Sequence, residues 1–104
     1  MPNYSSDHVF HALSDPTRRA IIEQLGRGPA SVSALAKMHK MALPSFMQHL
    51  QVLEASGLVR SKKVGRVRIC ECIREPLLQA ELWLSQQRKL WEQRLDQLDN
   101  FLKE

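Results

Sequence analysis

Four basic side chains lie close together in the second half of the chain, in a pattern that could bind phosphate groups. They are Lys62, Lys63, Arg66 and Arg68. Residues 58–76 carry six Lys or Arg against two Asp or Glu, whereas the segments before and after carry five against four and four against five. Positive charge confined to one loop of a near-neutral chain is typical of a nucleic-acid contact, although a solvated hairpin surface has the same composition.

Two further pairs of side chains could bind a metal ion or react as thiols. Cys70 and Cys72 are two positions apart in a predicted strand, so both point to the same face, where packing is the more common role. His8 and His11 are spaced to share a helix face, but only Asp7 lies nearby as a third ligand. We therefore predict packed cysteines, a polar histidine surface and no metal site.

The rest of the sequence excludes several classes of protein. The 104 residues, 43% hydrophobic and 25% charged, predict one domain over residues 1–104. The sequence shows no signal peptide and no membrane-spanning run, which predicts a cytoplasmic protein. Because it has no nucleophile beside a base, no glycine-rich phosphate loop and no metal cluster, we predict neither catalysis nor a cofactor.

Two helices are predicted in the first quarter of the chain. Apolar residues at helical spacing predict a first helix that ends near Ser14. Its possible N-terminal caps are Ser5, Ser6 and Asp7. The second helix runs from Pro16 to about Leu25, because Asp15 can accept hydrogen bonds from the first turn and Pro16 fits the first helical position.

Two more helices, joined by a short turn, follow. The third is capped by Ser31 or Ser33 and ends around residues 39–42. The fourth covers residues 43–56, where apolar residues recur at intervals of four and three. These core-facing residues are Phe46, Leu50 and Leu53.

A hairpin and a long helix complete the chain. Residues 58–62 and 67–73 alternate in polarity across a turn at residues 63–66, which predicts a β-hairpin with a basic tip. Pro76 opens a last helix that has two neighbouring apolar stripes. The first stripe contains Leu77, Leu84, Trp91, Leu95, Leu98 and Leu102, and the second contains Trp83, Leu90 and Phe101.

The order of these elements and several motifs resemble the ArsR family of winged helix-turn-helix repressors. The similarity begins with FHALSDPTRRAII at residues 10–22 and continues through VSALA at 32–36, HLQVLEASGLV at 49–59 and Gly65-Arg66. The resemblance implies a mainly α fold with a β-hairpin wing, about five helices and two strands. It also implies a homodimeric transcriptional regulator that acts as a repressor on a palindromic DNA operator.

Within that family resemblance, helix 43–56 is the expected recognition helix and residues 60–68 form the wing. On a helical wheel, the polar residues of the helix lie on the side away from its core stripe, and Met47 and His49 lie on the flanks. The expected DNA contacts on the helix are Pro44, Ser45, Met47, Gln48, His49 and Gln51, and those on the wing are Lys62, Lys63, Arg66 and Arg68. Gln48 is the predicted base reader, although family members commonly carry Arg or Lys there.

The first and last helices are expected to form the dimer interface, because they carry more apolar surface than so small a domain can cover. The predicted interface residues are Val9, Phe10, Leu84, Trp91, Leu95, Leu98 and Leu102. At the positions where metal-sensing family members carry cysteine and histidine ligands, this chain carries other residues. The identity of any effector is therefore left open. A winged-helix interaction module without DNA binding remains the alternative, because the recognition face is uncharged.

Overall fold

The computed structural model describes residues 6–103 and contains five helices and a small antiparallel sheet. This architecture confirms the predicted winged helix-turn-helix class. In chain order the elements are α1 (Ser6–Leu13), α2 (Pro16–Leu25), β1 (Ala30–Ser31), α3 (Val32–Met38), α4 (Leu43–Ala55), β2 (Val59–Val64), β3 (Val67–Cys72) and α5 (Arg74–Lys103).

The helix starts follow from local hydrogen bonding. Asp15 caps α2 by accepting from the backbone N–H of Arg18 at 3.0 Å, and Pro16 occupies the first helical position. Of the two candidate caps for α3, Ser31 is the one used, since its hydroxyl accepts from the N–H of Ala34 at 3.1 Å. The candidate cap Ser5 of α1 lies outside the described residues.

The sheet contains one strand more than the sequence predicts. Its order is β1-β3-β2, and the additional strand β1 pairs antiparallel with β3 through Ala30 opposite Cys70. The hairpin turn is also tighter than predicted, with only two residues between the strands. Gly65 has a φ of 63°, the backbone conformation that a two-residue hairpin turn starting with glycine requires.

The core lies between the first four helices and the inner face of the sheet. Its fully buried side chains include Val9 from α1, Ile21 from α2 and Leu35 from α3. Helix α4 contributes the predicted stripe, and all three of its members are buried: Phe46, Leu50 and Leu53.

Helix α5 extends well beyond this core. It begins two residues earlier than predicted, with Pro76 as its third residue, where no N–H is needed for the helical ladder. Its buried residues, Pro76 and Ala80, both lie near its start. The radius of gyration is 18.3 Å, against about 13 Å for a compact domain of this length. None of the helices within residues 6–103 is both long and apolar enough to cross a membrane.

Helix α4 starts without a side-chain cap, which makes one stability prediction possible. Ala42 occupies the N-cap position and makes no capping hydrogen bond. We expect Ala42→Ser to stabilise the fold by about 1 kcal/mol, because the new hydroxyl can accept from the N–H of Ser45. Thermal unfolding followed by circular dichroism at fixed protein concentration should show a higher Tm. The matched variant Ser31→Ala removes the existing cap of α3 and should lower Tm; an unchanged Tm in both would contradict the expectation.

Candidate nucleic-acid interface

Helix α4 presents a narrow polar ridge to solvent. Pro44, Ser45, Gln48 and Gln51 are all exposed, on the side of the helix away from its buried stripe. None of these four side chains is charged. The ridge can therefore donate and accept hydrogen bonds through hydroxyl and amide groups without a strong charge preference.

The two flanking residues, Met47 and His49, are turned partly toward the protein. Met47 packs against the hydrophobic core. The imidazole of His49 has its Nδ1 atom 3.4 Å from Nη1 of Arg18 and 3.7 Å from Oδ2 of Asp15. The outward surface is consequently narrower than the six positions expected from the sequence, and His49 belongs to a contact between α4 and α2.

The wing separates the four predicted basic residues onto different faces. Lys63 is directly opposite Arg68 in the register of β2 and β3, so these two side chains share a face. The face also carries Ser61, which contacts α4. Lys62 is opposite Ile69 on the other face, and Arg66 occupies the exposed turn. Alternation along β2 therefore points Lys62 away from α4, on the face opposite to Lys63 and Arg68.

A hydrogen-bonded relay connects the wing to the end of α4. Nη1 of Arg68 donates to the hydroxyl of Ser61 at 2.8 Å, and this hydroxyl donates to Oε1 of Glu54 at 2.6 Å. The relay restrains the wing relative to α4 and leaves Arg68 exposed at the shared surface. The sequence carries no signal for it, because the three residues lie on three different elements.

Arg18 is the most highly connected polar side chain near this surface, and sequence reasoning misses it. Although a guanidinium is rarely buried, Arg18 is only 9% exposed. Its Nε donates to the carbonyl of Ala12 at 2.7 Å, and its Nη2 donates to the carbonyl of His11 at 2.9 Å. Arg18 therefore holds the end of α1 next to α2 and reaches α4 through His49.

Asp15 stays ionised beside this arginine. The pKa of its carboxyl is lowered mainly by the hydrogen bond from the backbone N–H of Arg18, with smaller electrostatic contributions from His49 and Arg18, against a partial desolvation that raises it. The carboxylate therefore acts as the N-cap of α2, and its Oδ2 atom lies 3.7 Å from Nδ1 of His49.

A wide apolar surface runs along α5. The predicted interface residues Leu84, Trp91, Leu95, Leu98 and Leu102 are all exposed, together with Leu90 and Phe101. Phe10 is half-buried and makes an edge-to-face contact with Trp83 at 5.6 Å between ring centroids. Val9 is the correction to this set, since it is 1% exposed and packs inside its own core.

Both cysteines are free and face the protein interior. Cys70 is buried and Cys72 is half-buried against the core. Burial raises the pKa of both thiols. A raised pKa keeps a thiol protonated and unreactive, so the packing role predicted for these residues fits their environment.

Comparison with known proteins identifies the family. Residues 13–62 match a family described as a helix-turn-helix domain. The crystal structure of an ArsR family transcriptional regulator superimposes with a TM-score of 0.78 and 55% identity, covering 83% of this chain and 89% of that one. The chain belongs to the ArsR family of transcriptional regulators.

Other relatives of this ArsR chain agree with that assignment. The HTH-type transcriptional regulator Rv2034 of Mycobacterium tuberculosis is 42% identical over 65 residues, which are 62% of this chain and 61% of that protein. The transcriptional repressor SdpR of Bacillus subtilis is 32% identical over 60 residues, covering 58% of this chain and 67% of SdpR. The match thus covers less than two thirds of Rv2034.

One solved relative is a dimer. The homodimeric winged helix-turn-helix DNA-binding domain Mb0332 of Mycobacterium bovis has a TM-score of 0.64 and 27% identity, and the match covers 81% of this chain and 80% of that one.

Within residues 6–103 of this ArsR protein, no group of three or more His, Cys, Asp or Glu side chains is placed to hold a metal ion.

Proposed function

We propose that this protein is a homodimeric repressor that binds a palindromic DNA operator. Helix α4 enters the major groove, where Gln48 reads a base edge and Ser45 and Gln51 contact bases or phosphates. Lys63, Arg66 and Arg68 of the wing bind the phosphate backbone. Helices α1 and α5 pair with the same elements of a second copy.

The observation that carries this proposal is a pair of exposed cations placed opposite each other at the wing. Lys63 lies directly opposite Arg68, and like charges placed opposite each other in a sheet destabilise it. Both side chains are exposed on the wing face that contacts α4. A polyanion bound along α4 would neutralise both charges, which favours DNA over an uncharged protein partner.

The exposed face of α5 supports the dimer. Leucine and aromatic side chains cover its C-terminal half, and that half projects past its own core. A contiguous apolar surface of this kind is typical of a protein interface, and a two-fold pairing covers the same surface on both copies.

Two-fold symmetry supports the palindrome, and the relatives support repression. A symmetric dimer presents two copies of α4, and such pairs read half-sites about one helical turn of DNA apart. The Bacillus subtilis relative SdpR is named a transcriptional repressor. A repressor of this type acts by occupying its operator.

The test is the salt dependence of binding to a DNA fragment selected from a random pool. Three wing cations from each protomer would release about six counterions, so log Kd should rise with log salt concentration with a slope of about 5. Fluorescence anisotropy titrations between about 50 and 300 mM KCl measure this slope. A flat response, or failure to select any fragment, would favour the interaction module without DNA binding.

A further inference from the structure

Arg18 and His49 form a contact whose chemistry dictates which tautomer the neutral histidine adopts. We propose that Arg18 is a positioning residue that holds His49 in its Nε2–H tautomer, so that Nε2–H donates to a phosphate oxygen beside α4. This inference rests on the proposed DNA-binding function and extends it to a specific atom.

The donor and acceptor roles follow from the guanidinium. An arginine side chain has five N–H donors and no acceptor, so any nitrogen that it hydrogen-bonds must offer a lone pair. Nη1 of Arg18 faces Nδ1 of His49 at 3.4 Å. Nδ1 must therefore be unprotonated, and the ring proton of the neutral imidazole lies on Nε2.

Arg18 is fixed in place independently of the histidine. Its Nε and Nη2 groups are held by the carbonyls of Ala12 and His11 at 2.7 and 2.9 Å, and the side chain is buried. Asp15 is the other charged group at the ring, but its carboxylate accepts from the backbone N–H of Arg18 and is 3.7 Å from Nδ1. The geometry thus selects Arg18 as the partner of Nδ1.

The position of the ring on α4 points to a phosphate as the acceptor. His49 neighbours the exposed Gln48 but lies on the flank of the helix that faces α2, and its side chain is 24% exposed. Residues on the flank of a helix in the major groove face the backbone walls of the groove, whereas the outward ridge faces the bases. A hydrogen-bond donor fixed there sets how deeply α4 enters the major groove and its register along the DNA.

The tautomer can be measured without DNA. Long-range ¹H–¹⁵N correlation spectra of the uniformly labelled full chain distinguish the two neutral tautomers of an imidazole. We expect His49 to show a protonated Nε2 and an unprotonated Nδ1 at a pH where the ring is neutral. In Arg18→Met the preference should weaken, whereas Arg19→Met, which removes a hydrogen bond from Nη1 to the Leu13 carbonyl, should leave it unchanged. A protonated Nδ1 in the wild type would overturn the proposal.

The phosphate contact is tested by two substitutions at position 49. His49→Leu removes both nitrogens and should weaken binding about tenfold, equally on the selected fragment and on an unrelated duplex. His49→Gln places an amide N–H near the original Nε2 and should restore most of the affinity. These variants keep the test valid if Arg18→Met fails to fold.

Three outcomes of the binding experiments would count against the phosphate contact. Wild-type affinity in His49→Leu would remove the contact, and a loss confined to the selected fragment would show a base contact in place of the phosphate. A wild-type chain that bound no DNA would overturn the proposed function and with it the phosphate contact, while the NMR spectra would still decide whether Arg18 sets the tautomer.

Discussion

Replacing Leu95 or Leu98 with glutamate is expected to convert the proposed dimer into folded monomers. These side chains are 58% and 52% exposed in a single protomer, so a carboxylate there stays in water until a second copy covers it. Each dimer would bury two copies of the new charge. Because burying an unpaired charge is costly, we expect the dissociation constant of the dimer to rise by about 1,000-fold or more.

The core of the domain should survive this change. The residues that α5 buries are Pro76 and Ala80, and the second of them lies about four turns before Leu95. The far half of α5 would then lack a partner surface, and isolated helices of this length are marginal in water. We therefore expect the variants to lose helical signal from that half, while the cooperative unfolding of α1 to β3 is retained.

Sedimentation velocity and far-ultraviolet circular dichroism measure the two effects. Asn100→Glu is the matched control, since it adds the same charge to an exposed position on roughly the opposite side of the same helix. This control should remain dimeric. A dimer in Leu95→Glu as tight as in the wild type would place the interface on another surface of the protein.

The elements that the sequence predicts well are those with local signals. The bounds of α2, Pro16 to Leu25, are confirmed, because Asp15 and Pro16 specify a helix start through bonds within three residues. Helix α4 ends within one residue of its predicted end, since its buried stripe has a regular period. Both signals are independent of what packs around them.

The features that the sequence does not predict depend on contacts between distant residues. Strand β1 is two residues long, too short to show alternation, and it exists because β3 pairs with it. The link from Arg18 to His49 joins positions 31 residues apart. Lys62 and Lys63 lie on opposite faces because β2 continues to Val64, whereas the sequence pattern predicts that this strand ends at residue 62 and places Lys63 in the turn.

Gln48→Ala is expected to reduce sequence specificity, whereas Lys63→Ala is expected to reduce affinity and leave specificity almost unchanged. Gln48 is exposed on the uncharged ridge of α4, where its amide can pair with the N6 and N7 edge of an adenine. Its removal should cost about 1–3 kcal/mol on the selected fragment and leave unrelated DNA almost unaffected. Lys63→Ala should weaken binding to all sequences similarly and make the salt slope shallower by about one unit for each phosphate that the lysine no longer neutralises.

The wing itself offers the control for the lysine. Lys62 carries the same charge one residue earlier, but it lies opposite Ile69 on the face away from α4. Lys62→Ala therefore changes the net charge equally and should reduce affinity less than Lys63→Ala. Anisotropy titrations of all three variants on both duplexes, repeated at several salt concentrations, provide the comparison.

The pattern across the three variants separates base reading from backbone binding. If Gln48→Ala weakened binding equally on both duplexes, Gln48 would contact only the backbone, and the base reader would be Ser45 or Gln51 on the same ridge. If Lys62→Ala and Lys63→Ala were indistinguishable, net charge alone would explain the contribution of the wing. The pair of Lys63 and Arg68 would then make no specific contact with the DNA, because a long-range electrostatic field does not depend on which face carries the charge.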